Sequence, residues 1–468
     1  MARTLILFLI IFIEGYIVLS TELLAIRLLV PFTGSGTDTI SIIIAAVLMP
    51  LAFGYYTGGK FKTRENSTYI KTVRNKLLLN LMLASLFLTF ALSYPFLVIF
   101  FDFLYDLEIT NRLITSAIYA GLFLVYPVYL LGQTIPLISN YFSRDRLPIL
   151  TGKILFFSTL GSFMGAVFCT LILMTFLGVN YSVIITIGLI SALALILSKS
   201  LLSKELLVTL CAFGIALWLN SAQKLEQYDI VENNSYNTIQ IKTFGNDRIF
   251  KVNHNTSSGY NVHTGEDSFP HHHYIEQLFL DPVMLRSAKP IDILVLGAAG
   301  FGFGSHDSKN HYTFVDIDKD VKKAAEEHFL GKELGENKTF EPVSARGFLR
   351  QNKKKYDLIY VDLFRGPSLI PEHLVTAEFY QDIKKTLKPK GIFISNNALS
   401  PNFSDQYSIN LDNTIRYVFK NVSRHVFKPY NGWGEGQQNN VLYIYYNHTD
   451  GSGSIYSDNK NTAVFDKP

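Results

Sequence analysis

Cysteine is almost missing from this chain: two residues in 468, Cys169 and Cys211, both inside apolar runs. From residue 223 onward there is none, which excludes a disulfide framework and a thiolate zinc site in that half. Charge is also scarce up to about residue 220, where the sequence is a series of apolar runs close to the ~20 residues that a bilayer-spanning helix needs. The net charge of +4 is concentrated in the loops between those runs. It therefore points to lipid head groups, and nucleic acid is not expected as a partner.

The runs lie at about 4–30, 38–58, 77–101, 113–139, 150–177, 181–198 and 201–220, so residues 1–222 are expected to form a transmembrane domain of about seven helices. The first run is too long, and too well followed by others, to be a cleaved leader. The seventh has a continuous apolar core only from Leu206 to Leu219, because Lys204 and Glu205 interrupt it. Lys60, Lys62, Arg64, Lys71, Arg74 and Lys76 crowd the loop after the second run; Arg144 and Arg146 follow the fourth, and Lys199 and Lys204 the sixth. The alternate loops are poor in Lys and Arg, so the N-terminus is expected in the cytoplasm of a bacterial-type cell membrane. Seven spans put the C-terminal half outside the cell; six keep it inside. Glu14, Glu22 and Arg27 in the first run should face protein or water, with a Glu22–Arg27 ion pair as the first expectation and a substrate path as the alternative.

Residues 223–447 read as a separate α/β domain, and the polar tail 448–468 as disordered. Short β runs at 236–243 and 248–252 suggest a small hairpin region, followed by a helical stretch at 272–285. Strands then alternate with helices: strands at 291–296, 312–315, 340–343, 357–361 and 391–395, helices at 318–329, 345–351 and 372–387. That alternation predicts a mostly parallel, doubly wound Rossmann-like sheet. A helix at 409–420 and strands at 424–429 and 441–446, around a Gly-rich hairpin at 431–440, resemble the antiparallel end of a methyltransferase-like sheet.

Ligands in such a sheet bind at the carboxyl ends of the strands. Gly297, Gly300 and Gly302 form a glycine turn after the first strand, where the backbone can approach a nucleotide. Asp316 ends the second strand and can accept both ribose hydroxyls; a solvated strand end is the alternative. Ser344 follows the third strand, and Asp362 ends the fourth beside the cleft. Three adjacent histidines, His271, His272 and His273, with His254 and His263 upstream, suggest a metal. Adjacent side chains cannot all face one ion, however, so a polar helix start is the preferred reading and no metal is expected.

The segments 356–362 (YDLIYVD), 370–380 (IPEHLVTAEFY) and 387–396 (LKPKGIFISN) resemble the spermidine synthase (aminopropyltransferase) family. Tyr274-Ile-Glu276 resembles the family's Tyr-x-Glu helix. Gly132-Gln-Thr-Ile-Pro136 and Gly161-Ser-Phe-Met-Gly165 resemble the branch in which the domain is fused to membrane helices. The resemblance implies a membrane bundle joined to a spermidine-synthase-like α/β domain. It also implies transfer of an aminopropyl group from decarboxylated S-adenosylmethionine, as co-substrate rather than tightly bound cofactor, to an amine. Asp362 would be the general base, and Tyr274 and Glu276 would line the amine side; His373, after Pro371, could reach the cleft or stand exposed at a helix start. The implied partners are membrane lipid and a small amine or polyamine; a homodimer is left open.

This chain departs from the family in four places. The turn 297–302 (GAAGFG) has no acidic residue, the connection from it to Asp316 is short enough that a truncated first helix is expected, Ser344 replaces the aspartate that reads adenine, and Asp362 is followed by Leu363, Phe364 and Arg365 rather than a second acid. A cationic polyamine would want more carboxylates than this. Two rivals therefore stand beside aminopropyl transfer. One is an extracytoplasmic enzyme that no longer uses the nucleotide and acts on a peptide, lipid or small amine. The other is a polyamine-binding transport or sensing module. A methyltransferase is a weaker third.

Overall fold

The computed structural model describes residues 2–61, 69–139, 147–280, 289–364, 370–427 and 439–447. The basic stretches 62–68 and 140–146, most of the Gly-rich hairpin, and the tail from 448 lie outside the described residues.

The N-terminal half is a helical bundle: α1 (Ala2–Thr33), α2 (Thr37–Gly59), α3 (Tyr69–Ala91), α4 (Tyr94–Asp106), α5 (Arg112–Ser139), α6 (Pro148–Phe176), α7 (Val179–Leu197) and α8 (Lys204–Leu219). Six of the described helices are long and apolar enough to cross a membrane. The seventh expected span is the 16-residue helix α8, about 24 Å at 1.5 Å per residue. It packs against α3 and α7 inside the bundle. Thr89 donates to the Ala212 carbonyl (3.2 Å) and Asn220 donates to Ser93 Oγ (3.1 Å), so α8 ends beside the end of α3.

The third apolar run is not one span. It breaks at Ser93, which is extended (φ −110°, ψ 119°), and restarts as α4 with Pro95 in its first turn. Proline has no N–H to give a preceding turn and disfavours helical backbone before it, so the helix must end there. Gly161 and Gly165 let α6 approach α1 closely: a Cβ at either would overlap the backbone of Phe12 or Tyr16.

The second half contains a four-stranded antiparallel sheet, β1 (Ile230–Asn233), β2 (Thr238–Phe244), β3 (Asp247–Val252) and β4 (Asn255–Asn261), larger than the expected hairpin. The main sheet has seven strands in the order β10-β11-β9-β8-β5-β6-β7. These are β5 (Asp292–Leu296), β6 (His311–Asp316), β7 (Lys338–Pro342), β8 (Tyr356–Val361), β9 (Leu387–Leu399), β10 (Ser423–Val426) and β11 (Asn439–Tyr446). Pairing among β5 to β9 is parallel, and β11 is antiparallel to both its neighbours. Successive side chains on a strand face opposite ways, so Ile293 and Val295 enter one apolar core while Leu294 and Leu296 enter the other. Burial on both faces explains why the central strands read as unbroken apolar runs.

The two halves meet at named contacts. Arg27, expected to pair with Glu22, sends Nε to the Asn234 carbonyl (2.7 Å) and Nη2 to Asn233 Oδ1 and Thr238 Oγ1 (both 3.2 Å). The Tyr94 hydroxyl lies 2.6 Å from His254 Nε2, and Thr37 donates to Glu372 Oε1 (3.3 Å). Asn234 in turn donates to Asp318 Oδ1 (2.8 Å), two residues beyond the end of β6. Among the described residues, bundle ends near residues 27–37, 94 and 176 touch the α/β domain.

Candidate functional site

The sheet order reverses around β5, whose neighbours are β6 on one side and β8 on the other. A crevice opens beyond the carboxyl ends of strands at such a point. The ends of β5 and β8 touch: the Asp362 N–H donates to the Leu296 carbonyl at 2.9 Å. Gly297 follows with φ +98°, and a Cβ there would overlap the Asp362 carbonyl oxygen. Only glycine satisfies both the backbone angle and the approach. Between β5 and β6 the chain makes only a short 3₁₀ turn, Ala299–Phe301. The expected truncation of the first crossover helix is thus observed, and this turn offers no full helix N-terminus to a phosphate or carboxylate.

A cavity of about 380 Å³ lies over these strand ends. Gly297, Asp316, Ser344, Asp362 and His373 all line it, joined by Asn237, Asn255, His271 and Asn396. Asn237, Asn255 and His373 are the sequence neighbours of Thr238, His254 and Glu372, which contact the bundle. One wall of the cavity thus adjoins the helical bundle.

Asp362 is nearly buried, with its side chain 9% exposed. Its Oδ1 accepts from Asn396 Nδ2 (3.0 Å), and its Oδ2 lies 3.7 Å from His272 Nε2. The other ring nitrogen of His272, Nδ1, is 2.8 Å from Asp267 Oδ2. Asp267 is itself buried and fixed by the Phe269 N–H (2.6 Å) and the Ser258 hydroxyl (3.3 Å). His272 therefore stands between two carboxylates. Burial alone would suppress its charge, but the charge and hydrogen bond of Asp267, with Asp362 beyond, push it up to about 10. Burial would also raise Asp362, yet His272, His271 and the Asn396 amide hold its carboxyl below the usual range. His271 is lowered to about 4 by burial and by the neighbouring His272.

Asp316 accepts from the backbone N–H groups of Ala298 (3.2 Å) and Asp318 (3.0 Å). Burial, with the negative charge of Asp318 adding to it, raises its carboxyl to about 6. Ser344 caps the helix Ala345–Gln351, its Oγ accepting from the Gly347 N–H at 3.2 Å. That hydroxyl is already engaged by its own helix.

Residues 284–429 match the spermine/spermidine synthase domain. Similar proteins include polyamine aminopropyltransferase 2 of Hyperthermus butylicus, 30% identical over 180 residues, covering 35% of this chain and 57% of that protein. The polyamine aminopropyltransferase of Sulfolobus acidocaldarius is 31% identical over 170 residues (34% and 53%). That of Oceanobacillus iheyensis is 26% identical over 315 residues, 61% of this chain and 59% of its own length. Residues 284–429 of the α/β domain thus carry a similarity to the spermine/spermidine synthase family. The chain spans little more than half the length of these relatives. The Oceanobacillus alignment takes in a larger share of this chain than the α/β domain and tail can supply, so it reaches into the helical half.

Tyr274 and Glu276 are not among the described residues that line the cavity. The Tyr274 hydroxyl meets His425 Nδ1 (3.2 Å), and its ring packs edge-on to Phe427. The Glu276 carboxylate is buried and accepts from the Gly304 N–H at 2.8 Å, holding the far end of the glycine turn. Both side chains are directed to these partners. Gly300 and Gly302 also lie outside the cavity lining. A Cβ at Gly300 would press on Phe250 and Phe329, and one at Gly302 would overlap Asp267 and Ser258. Their role is packing behind the site. Asp267 and Asn396 as partners of the Asp362 cluster were not foreseen from sequence. Asn396 lay inside a segment that carried the resemblance; Asp267 had no signal of its own.

Proposed function

We propose that this protein is a membrane-embedded transferase of the aminopropyltransferase type, with Asp362 as general base. The observation that carries the reading is that Asp362 and Asp316 line one cavity at the switch point of the sheet, within the segment that matches this family. An amine is protonated at neutral pH and attacks only after losing a proton. Asp362 has a carboxylate kept ionised by His272, so it can receive that proton at the cavity wall. On the other side, Asp316 would hold the ribose of decarboxylated S-adenosylmethionine, with Gly297 giving the donor backbone clearance. A transfer assay with labelled donor and a panel of amines tests the reading, and absence of product with every amine would overturn it.

The Asp316 assignment fixes a pH dependence. Its carboxylate accepts ribose hydroxyls only when ionised, and its pKa is near 6. Nucleoside affinity should therefore be constant above neutrality and fall as pH drops through 6, by up to about tenfold per unit. Titration calorimetry on Asp316→Asn should show weaker binding with a flat profile over the same range. A wild-type profile flat from pH 5 to 8 (roughly the range where a group near 6 titrates) would remove Asp316 from the donor site.

A specific observation favours a second reading, an enzyme on the outer face that does not use the cytoplasmic donor. The α/β domain contacts the bundle near residues 27–37 and 94, opposite the helix ends at Gly59, Ser139 and Leu197, after which the sequence carries the basic residues Lys60, Lys62, Arg64, Arg144, Arg146 and Lys199. If basic loops are cytoplasmic, the domain is outside. Helix α8 then crosses in spite of its 16 residues. Paired reporters fused after residue 446, one active only in the cytoplasm and one only outside, separate the readings. A cytoplasmic C-terminus supports aminopropyl transfer; an external one leaves the domain without its donor and favours an amine, peptide or lipid substrate reached from the membrane side.

A further inference from the structure

The geometry points to a divalent transition-metal site formed by His271, His272 and Asp362 in the wall of the cavity. Each of the three side chains offers a ligand atom, and those atoms lie within 4.8 Å of one another. His271 and His272 are adjacent on the first turn of a helix, and both are turned inward, 6% and 3% exposed. His273 is not part of the cluster.

Three further features separate this group from a chance meeting of polar residues. The first is an orphaned atom: His272 Nε2 is buried with no hydrogen-bond partner. Its 3.7 Å separation from Asp362 Oδ2 is too long for a direct hydrogen bond. Two bonds of about 2.1 Å to one ion, spanning that 3.7 Å, would meet at roughly 120°, within reach of a four-coordinate zinc geometry. The second is the outer support. His272 Nδ1 lies 2.8 Å from Asp267 Oδ2, the carboxylate–histidine arrangement that fixes a ligating imidazole with its other nitrogen toward the metal. Asp362 is likewise anchored through Oδ1 by Asn396, which leaves Oδ2 for the ion. The third is access. His271 and Asp362 line the cavity of about 380 Å³, so a fourth position faces a space large enough for water or a substrate oxygen or nitrogen.

Two imidazoles and one carboxylate select a borderline ion such as Zn²⁺ rather than Mg²⁺ or Ca²⁺, which take oxygen ligands. Metal binding would displace the proton on His272 Nε2 and would compete with proton acceptance for Asp362. The site thus goes beyond the transfer reading and does not depend on it: an occupied cluster silences Asp362 as a free base, and zinc should inhibit any amine transfer.

The test uses tag-free full-length protein in detergent, stripped with chelator and titrated with Co²⁺, then with Zn²⁺. Wild type should develop the visible absorption of four-coordinate cobalt, saturating at about one equivalent and lost on adding zinc. His271→Ala and Asp362→Asn should each remove stoichiometric binding, while Asp267→Asn should weaken it by about 10–100-fold. His263→Ala serves as a control that keeps it. If His271→Ala does not fold, His271→Gln replaces it. Substoichiometric uptake by wild type would overturn the site, and so would binding that survives both ligand substitutions. Because the readout is metal uptake, failure here leaves the transfer assay standing, and failure of transfer leaves the metal result intact.

Discussion

Asp362→Asn should lower the rate of group transfer to an amine by about 10²–10⁴-fold while changing nucleoside affinity less than threefold, roughly the spread expected when a residue acts on protons and not on donor binding. The substitution is close to isosteric. It preserves the acceptor for Asn396 Nδ2 and the Asp362 N–H bond to Leu296, so the strand end should keep its shape. What it removes is the charge that can take a proton from the attacking nitrogen. Measuring turnover at saturating amine beside donor binding by calorimetry separates chemistry from folding. Full retention of turnover would eliminate the general-base role. A chain that binds donor and amine equally well in both forms and turns over neither would favour a binding or sensing module.

The fold was legible in the sequence where local pattern and long-range structure agree. Strand-length apolar runs at β5, β6 and β8, each ending in glycine or aspartate, announce a parallel sheet because its central strands are buried on both faces. The break at Ser93 was not legible from hydropathy, since the apolar composition runs on through Pro95; it is the backbone constraints of that proline that end α3. The same limit applies to the site. Gly297, Asp316 and Asp362 could be placed because strand ends define where ligands bind. The Asp267–His272–Asp362 alignment joins a loop, a helix start and a strand end, and no periodicity links them. Tyr274 and Glu276 show the converse: a motif can be retained in sequence while its side chains serve His425 and Gly304 instead of the cavity.

Gly297→Ala should be the most damaging single-methyl change in the α/β domain. The backbone at this position has φ +98°, a conformation in which an L side chain costs about 1–3 kcal/mol. The added Cβ would also overlap the Asp362 carbonyl oxygen, which belongs to backbone and cannot swing away as a flexible side chain would. Relief requires β5 and β8 to part at their ends, breaking the 2.9 Å bond from the Asp362 N–H to Leu296. The same movement carries the Asp362 carboxylate away from Asn396 and His272, so stability and site geometry fail together. Thermal unfolding of the full chain in detergent should show the domain transition lowered by about 5–10 °C. Ser344→Ala, which removes one helix cap, should cost only about 1 kcal/mol and leave donor binding in place. If Gly297→Ala unfolds at the wild-type temperature and binds nucleoside normally, the close approach of these two strand ends is not what shapes the site.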